Sequence, residues 1–125
     1  MKFASIRLVT EQFETLLAFY QHLSGIEPAR LADGFAEVRF EGATLAISSQ
    51  QLVARFNAGA AIAAANRSAI LEFEVMEVEA VSNSLLQINA EVLMPVTRMP
   101  WGNLSLLVRD PDGNVANVFS RPVVP

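Results

Sequence analysis

The chain has 125 residues, of which 52% are apolar, with a net charge of −4 and a pI of about 4.9. That length suits one compact domain with a sizeable core, because a chain of this size buries about two-thirds of the surface its unfolded form exposes. The acidic balance speaks against a nucleic-acid binder, which would show a basic stripe, and against docking on an anionic membrane surface. Cysteine is absent, which removes disulfides, thiolate nucleophiles and sulfur ligands for metal and fits a cytoplasmic protein.

The N-terminal residues meet Arg7 before any apolar run forms, so no signal peptide is expected. The most apolar run, Ala58 to Ala65, is far shorter than the roughly 20 residues a membrane span needs. Phe3 to Val9 reads as a strand in which Ile6 and Leu8 alternate with Ser5 and Arg7. Thr10 is the expected cap of the following helix, with Glu11 and Glu14 in its first turns. Phe13, Leu16, Leu17, Tyr20 and Leu23 recur at helical spacing, and Gly25 is the stop.

Pro28 to Leu31 is a weak edge strand. Asp33-Gly34 turns the chain into a strand over Phe35 to Phe40, and Glu41-Gly42 makes a hairpin turn into a strand over Ala43 to Ser48. A short helix is expected over Gln51 to Phe56, followed by a mobile alanine-rich connection. The pattern then recurs. Ala69 to Val75 is a strand, and Val78, Val81, Leu85 and Ile88 form a helical stripe. Val92 to Met94 is a short strand stopped by Pro95, and Leu104 to Arg109 is another. Asp110-Pro111-Asp112-Gly113 is a turn with proline at its second position, Val115 to Phe119 is the last strand, and Pro122 ends it.

The fold class read from this order is α+β. Two βαβββ modules, at about 1–49 and 69–125 and joined by a connection at about 50–68, make an internal repeat of pattern rather than of identity. An α+β sandwich without a repeat is the rival arrangement.

Several segments together resemble the glyoxalase / bleomycin-resistance / extradiol-dioxygenase superfamily, also known as the vicinal oxygen chelate superfamily. The opening carries Ser5 to Thr10, then Ala18-Phe19-Tyr20 and Gly25. The second half carries Leu71 to Val78, Pro100-Trp101-Gly102 and Arg109 to Asn114, before a short apolar strand. The resemblance spans nearly the whole chain and implies a single domain whose two modules curl a mixed sheet around a ligand cavity.

Metal-binding members of that family take one ligand from the first strand and one from the last strand of each module. Those positions are Ser5, Ala46, Ile70 and Asn117 here, a poor donor set for zinc or for harder cations. No metal and no cofactor are therefore expected. His22, the one histidine, reads as a solvated helix residue, and an alternative metal set would be Glu72, Glu74 and Asn117.

Alternation turns Ser5, Arg7, Ile70, Glu72 and Glu74 away from the helices if Ile6, Leu8, Leu71 and Phe73 face them. From the last strands, Asn117 and Phe119 join that side. The candidate ligand-binding residues are thus Arg7, Glu72 and Asn117, walled by Ile70 and Phe119, with Trp101 at the rim. Arg7 and Glu72 occupy equivalent positions in the two modules and could form a charge pair, either purely structural or holding a ligand with Glu72 or Glu74 as base.

No serine-histidine-acid set and no glycine-rich phosphate loop exists. The leading expectation is a metal-free binder of an unidentified small molecule, acting as a homodimer with no nucleic-acid or membrane partner. The alternatives are a lyase, isomerase or dioxygenase of the same superfamily, for which no catalytic residue can be named, and a dimeric scaffold without ligand.

Overall fold

A computed structural model describes residues 1–123. Its elements run β1 (Ser5–Thr10), α1 (Phe13–Ser24), β2 (Ala29–Ala32), β3 (Phe35–Arg39), β4 (Thr44–Ser49), α2 (Gln50–Phe56), β5 (Ile70–Glu74), α3 (Val78–Leu86), β6 (Glu91–Arg98), β7 (Leu104–Arg109) and β8 (Val115–Ser120). The chain divides into two compact units, one from Met1 to Ala65 and one from Asn66 onward. Each contains a βαβββ module with a four-stranded mixed sheet, so the α+β class and the repeat of pattern are both present. No helix of the described residues is long and apolar enough to cross a membrane.

In the first unit the strand order is β1-β4-β3-β2. β1 runs parallel to β4, and the other pairs are antiparallel. Leu8, Ile47 and Ala36 lie in one row across the sheet, with Leu45 and Val38 in the next, and all five are buried. Against β3 and β4 packs α1, which buries Leu16, Leu17, Phe19, Tyr20 and Leu23. Gly25 ends that helix in the left-handed conformation that a side chain would disfavour, its N–H donating to Gln21 O.

The second unit repeats the order as β5-β8-β7-β6, with β5 parallel to β8. Leu71, Ala116, Val108, Leu106 and Val118 are buried on the side covered by α3, whose own anchors are Val78 and Leu85.

Two local expectations fail for identifiable reasons. Thr10 belongs to β1 and does not cap α1; its hydroxyl accepts the N–H of Gln12, which stands at the helix N-cap but whose side chain makes no capping bond. Pro95 does not stop the strand after Met94, and β6 runs through it to Arg98. That is tolerated because β6 is an edge strand and its register shifts between Met94 and Thr97, so no ladder donor is needed at the proline. Ile6 lies in the row of Leu45 and Val38, on the side of the sheet to which alternation assigns it, and at the start of β1 remains 43% exposed.

Candidate functional site

Each sheet has one face turned to its helix and one turned away, and register decides which side chains share the second face. In the first unit, Arg7 stands beside Ala46, which stands beside Glu37. Arg7 is exposed, and Glu37 is bound at 2.9 Å by Arg39 on its own strand. In the second unit the equivalent row is Glu72, Asn117, Leu107 and Met94. The two last-strand positions that the resemblance marks for a metal ligand, Ala46 and Asn117, therefore neighbour Arg7 in one unit and Glu72 in the other.

Glu72 and Asn117 are in direct contact. The Asn117 Nδ2 donates to Glu72 Oε1 at 3.1 Å. The Glu72 side chain is exposed, whereas Asn117 Oδ1 is shut off from solvent and has no hydrogen-bond partner. A buried amide oxygen without a donor costs about 1–3 kcal/mol.

Ile70 and Phe119 lie on the same face, Ile70 opposite Val115 and Phe119 opposite Glu74. Ile70 is 53% exposed, and Phe119 is half-buried. One residue that the sequence reading omitted joins them. Arg121 places its guanidinium 5.5 Å from the Phe119 ring centre and its Nε 3.2 Å from Glu74 Oε1. The same alternation that selects Asn117 and Phe119 would have selected Arg121, had the strand been followed two residues further. Trp101 is 67% exposed in the turn joining β6 and β7, where the Gly102 N–H donates to Met99 O.

The turn before β8 fixes this face in place. Asp110 is buried, and its Oδ1 accepts the N–H groups of Asp112 and Asn114, each at 2.9 Å. Its Oδ2 accepts the Asn114 amide at 2.7 Å, and Asn114 Oδ1 in turn accepts from Asn66 Nδ2. The turn that the sequence announced is thus a polar knot tying the entry of the unit to the start of β8.

The family's metal does not fit the residues present. Serine and asparagine are weak donors, and Ala46 and Ile70 offer none. Among the described residues no group of three or more His, Cys, Asp or Glu side chains is placed to hold a metal ion. His22 is exposed on α1.

In the first unit, one exposed ion pair has clearly shifted protonation. Arg30 clamps Glu14 through two hydrogen bonds of 2.8 Å, which hold the Glu14 carboxyl below its ordinary range and raise Arg30.

Two βαβββ units, each with a four-stranded mixed sheet whose first and last strands run parallel, define a repeated-module α+β architecture. Residues 2–118 match the model of the Glyoxalase/Bleomycin resistance protein/Dioxygenase superfamily, and the chain belongs to that family. A glyoxalase-related enzyme from Fulvimarina pelagi is similar in structure over 100% of this chain and 91% of its own, with a TM-score of 0.83 and 25% identity. A glyoxalase/bleomycin resistance protein/dioxygenase from Nocardioides covers 100% of this chain and 86% of its own, with a TM-score of 0.76 and 22% identity. A family enzyme from Burkholderia phytofirmans reaches a TM-score of 0.80 at 14% identity, covering 96% of this chain and 98% of its own. No curated protein matches the chain.

Proposed function

We propose that this protein is a metal-free small-molecule binder of the glyoxalase and bleomycin-resistance type, holding its ligand against the open face of the second sheet. The observation that carries the reading is the Glu72–Asn117 pair: an exposed carboxylate oriented by an amide whose own oxygen is buried and unpartnered. Ile70 and Phe119 supply apolar walls beside it, and a few polar groups among apolar ones is the usual character of such sites. Arg7 and Trp101 belong to the proposal as further ligand contacts, Arg7 for an anionic or carbonyl group and Trp101 for stacking on a flat one.

The donor-poor set at Ser5, Ala46, Ile70 and Asn117 favours binding over the metal-dependent lyase, isomerase or dioxygenase chemistry of relatives. The proposal includes a cytoplasmic homodimer, supported by apolar side chains left exposed in both units, among them Phe56, Ile62, Ile70 and Trp101. Light scattering at micromolar concentration should give twice the 13.6 kDa chain mass, and a 13.6 kDa species alone would remove the dimer. Elemental analysis after dialysis against zinc, manganese and iron should find no stoichiometric metal, and retention of any of the three would overturn the metal-free reading. Denaturing extraction of the purified protein should release a small organic compound.

A further inference from the structure

The chain carries two Asp-Gly pairs, Asp33-Gly34 and Asp112-Gly113, each in a turn. Such a pair can rearrange without an enzyme. The glycine backbone nitrogen attacks the aspartate Cγ, a C–N bond forms, and the carboxyl hydroxyl leaves with the amide proton as water. Water then reopens the succinimide ring. Opening at the backbone carbonyl routes the chain through the side chain, giving an isoaspartate with one extra methylene in the backbone. Glycine favours the step because it has no Cβ to hinder the approach. The bonds around each pair then decide its rate.

Those bonds differ between the two turns. The Asp112–Gly113 peptide is held in place. The Gly113 N–H donates to Asp110 O at 2.9 Å, the Asp112 N–H donates to Asp110 Oδ1 at 2.9 Å, and Gly113 O accepts from Arg109 at 2.9 Å. The Asp33–Gly34 peptide has no hydrogen bond at either end among the described residues, and the Asp33 side chain is exposed and equally unbonded. Its tether lies one peptide further on, where Gly34 O accepts the Ser49 N–H at 2.8 Å.

We infer that Asp33 is a site of spontaneous isoaspartate formation, and that the modification is transmitted to α2. Asp33 and Gly34 are the whole turn between Ala32 and Phe35, which face each other in the β2–β3 ladder. That turn has no slack: Gly34 stands at φ 77°, and a carbon added to its Cα would lie 2.7 Å from Ser49 Oγ. Ser49 also caps α2, its Oγ accepting the Leu52 N–H at 3.3 Å. An extra methylene at Asp33 displaces Gly34 against Ser49 and weakens that cap. The second pair is protected by the polar knot before β8.

Warm incubation of the folded protein, followed by tryptic mapping, tests this directly. Residues 31–39 form the peptide with the first pair, and the peptide that begins at Asp110 carries the second. Chromatography and electron-transfer fragmentation distinguish isoaspartate from aspartate. Isoaspartate should accumulate at Asp33 about tenfold faster than at Asp112, on the scale of the hydrogen bonds that restrain Gly113. In urea the two rates should converge. Asp33→Glu, whose six-membered ring closes slowly, should remove the first product and leave the second unchanged. Amide exchange at Ser49 and Leu52 should be faster in aged than in fresh protein, and should not change on ageing in Asp33→Glu. Equal rates at the two sites in the folded protein would overturn the inference, as would a difference that persists undiminished in urea. Unchanged exchange at Ser49 in the modified protein would overturn the link to α2.

Discussion

The two units are built to one plan and differ in what each does best. The first has a 12-residue helix with five buried anchors and a second helix, α2, with Val53 buried beneath it. The second has a nine-residue helix with two buried anchors and an irregular eight-residue edge strand. On the faces turned from the helices the balance reverses. The first unit places Arg7 beside the small, inert Ala46, whereas the second joins Glu72 to Asn117 with a buried oxygen left unpaired. Duplicated architecture has here been divided: one copy is weighted toward packing, the other carries polar groups at a cost in stability.

The sharpest way to break this comparison is to empty each core in turn. Leu16 and Leu85 are both essentially fully buried on their helices. Leu16→Ala should cost about 4 kcal/mol, because the densely anchored α1 cannot collapse around the cavity. Leu85→Ala should cost about 3 kcal/mol, since the shorter α3 can settle into the space. Urea denaturation followed by circular dichroism measures both, and a larger loss for Leu85→Ala would reverse the assignment of the stability to the first unit.

Next in size is the knot before β8. Asp110→Ala strands two backbone N–H groups and the Asn114 amide in a buried turn, and should cost about 3 kcal/mol. Asp110→Asn, which keeps an acceptor at the same place, should recover part of that loss. An alanine variant as stable as wild type would mean that the turn holds without its carboxylate.

Asn117→Leu sharpens the contrast from the other side. It removes the buried, unpartnered oxygen at the expense of one bond to an exposed carboxylate, so the protein should gain about 1 kcal/mol. Co-purified ligand should fall at the same time. A variant that loses both stability and ligand would make Asn117 an ordinary structural residue.

The smallest effect belongs to the Glu14–Arg30 pair, which is exposed on both sides. Because Glu14 titrates below its ordinary value in the folded state, any stability it adds is present above the unfolded pKa and is lost as pH falls through the folded one. Carboxyl NMR titration of Arg30→Ala should return Glu14 upward toward that ordinary value. An unchanged titration would show that Arg30 is not the cause.

Much of this was legible in the residues. The alternation of Leu8 with Arg7 and of Leu71 with Glu72 placed both strands with the correct faces, because a half-buried strand must repeat every second residue. The spacing from Phe13 to Leu23 located α1 for the same kind of reason. Pro95 misled because sequence does not say which strand lies at an edge, where a missing donor is harmless. Thr10 misled because its hydroxyl reaches the Gln12 N–H just before the helix begins. The Glu72–Asn117 contact needed the β5–β8 register, a pairing between residues 45 positions apart that no local pattern encodes.

The most direct test of the central claim is a native mass spectrum of the protein as purified, recorded beside that of Glu72→Gln. The account predicts a wild-type species carrying a small organic adduct and no metal, and a folded Glu72→Gln protein from which the adduct is lost. A stoichiometric transition metal on the wild type, or an adduct retained undiminished by Glu72→Gln, would contradict it.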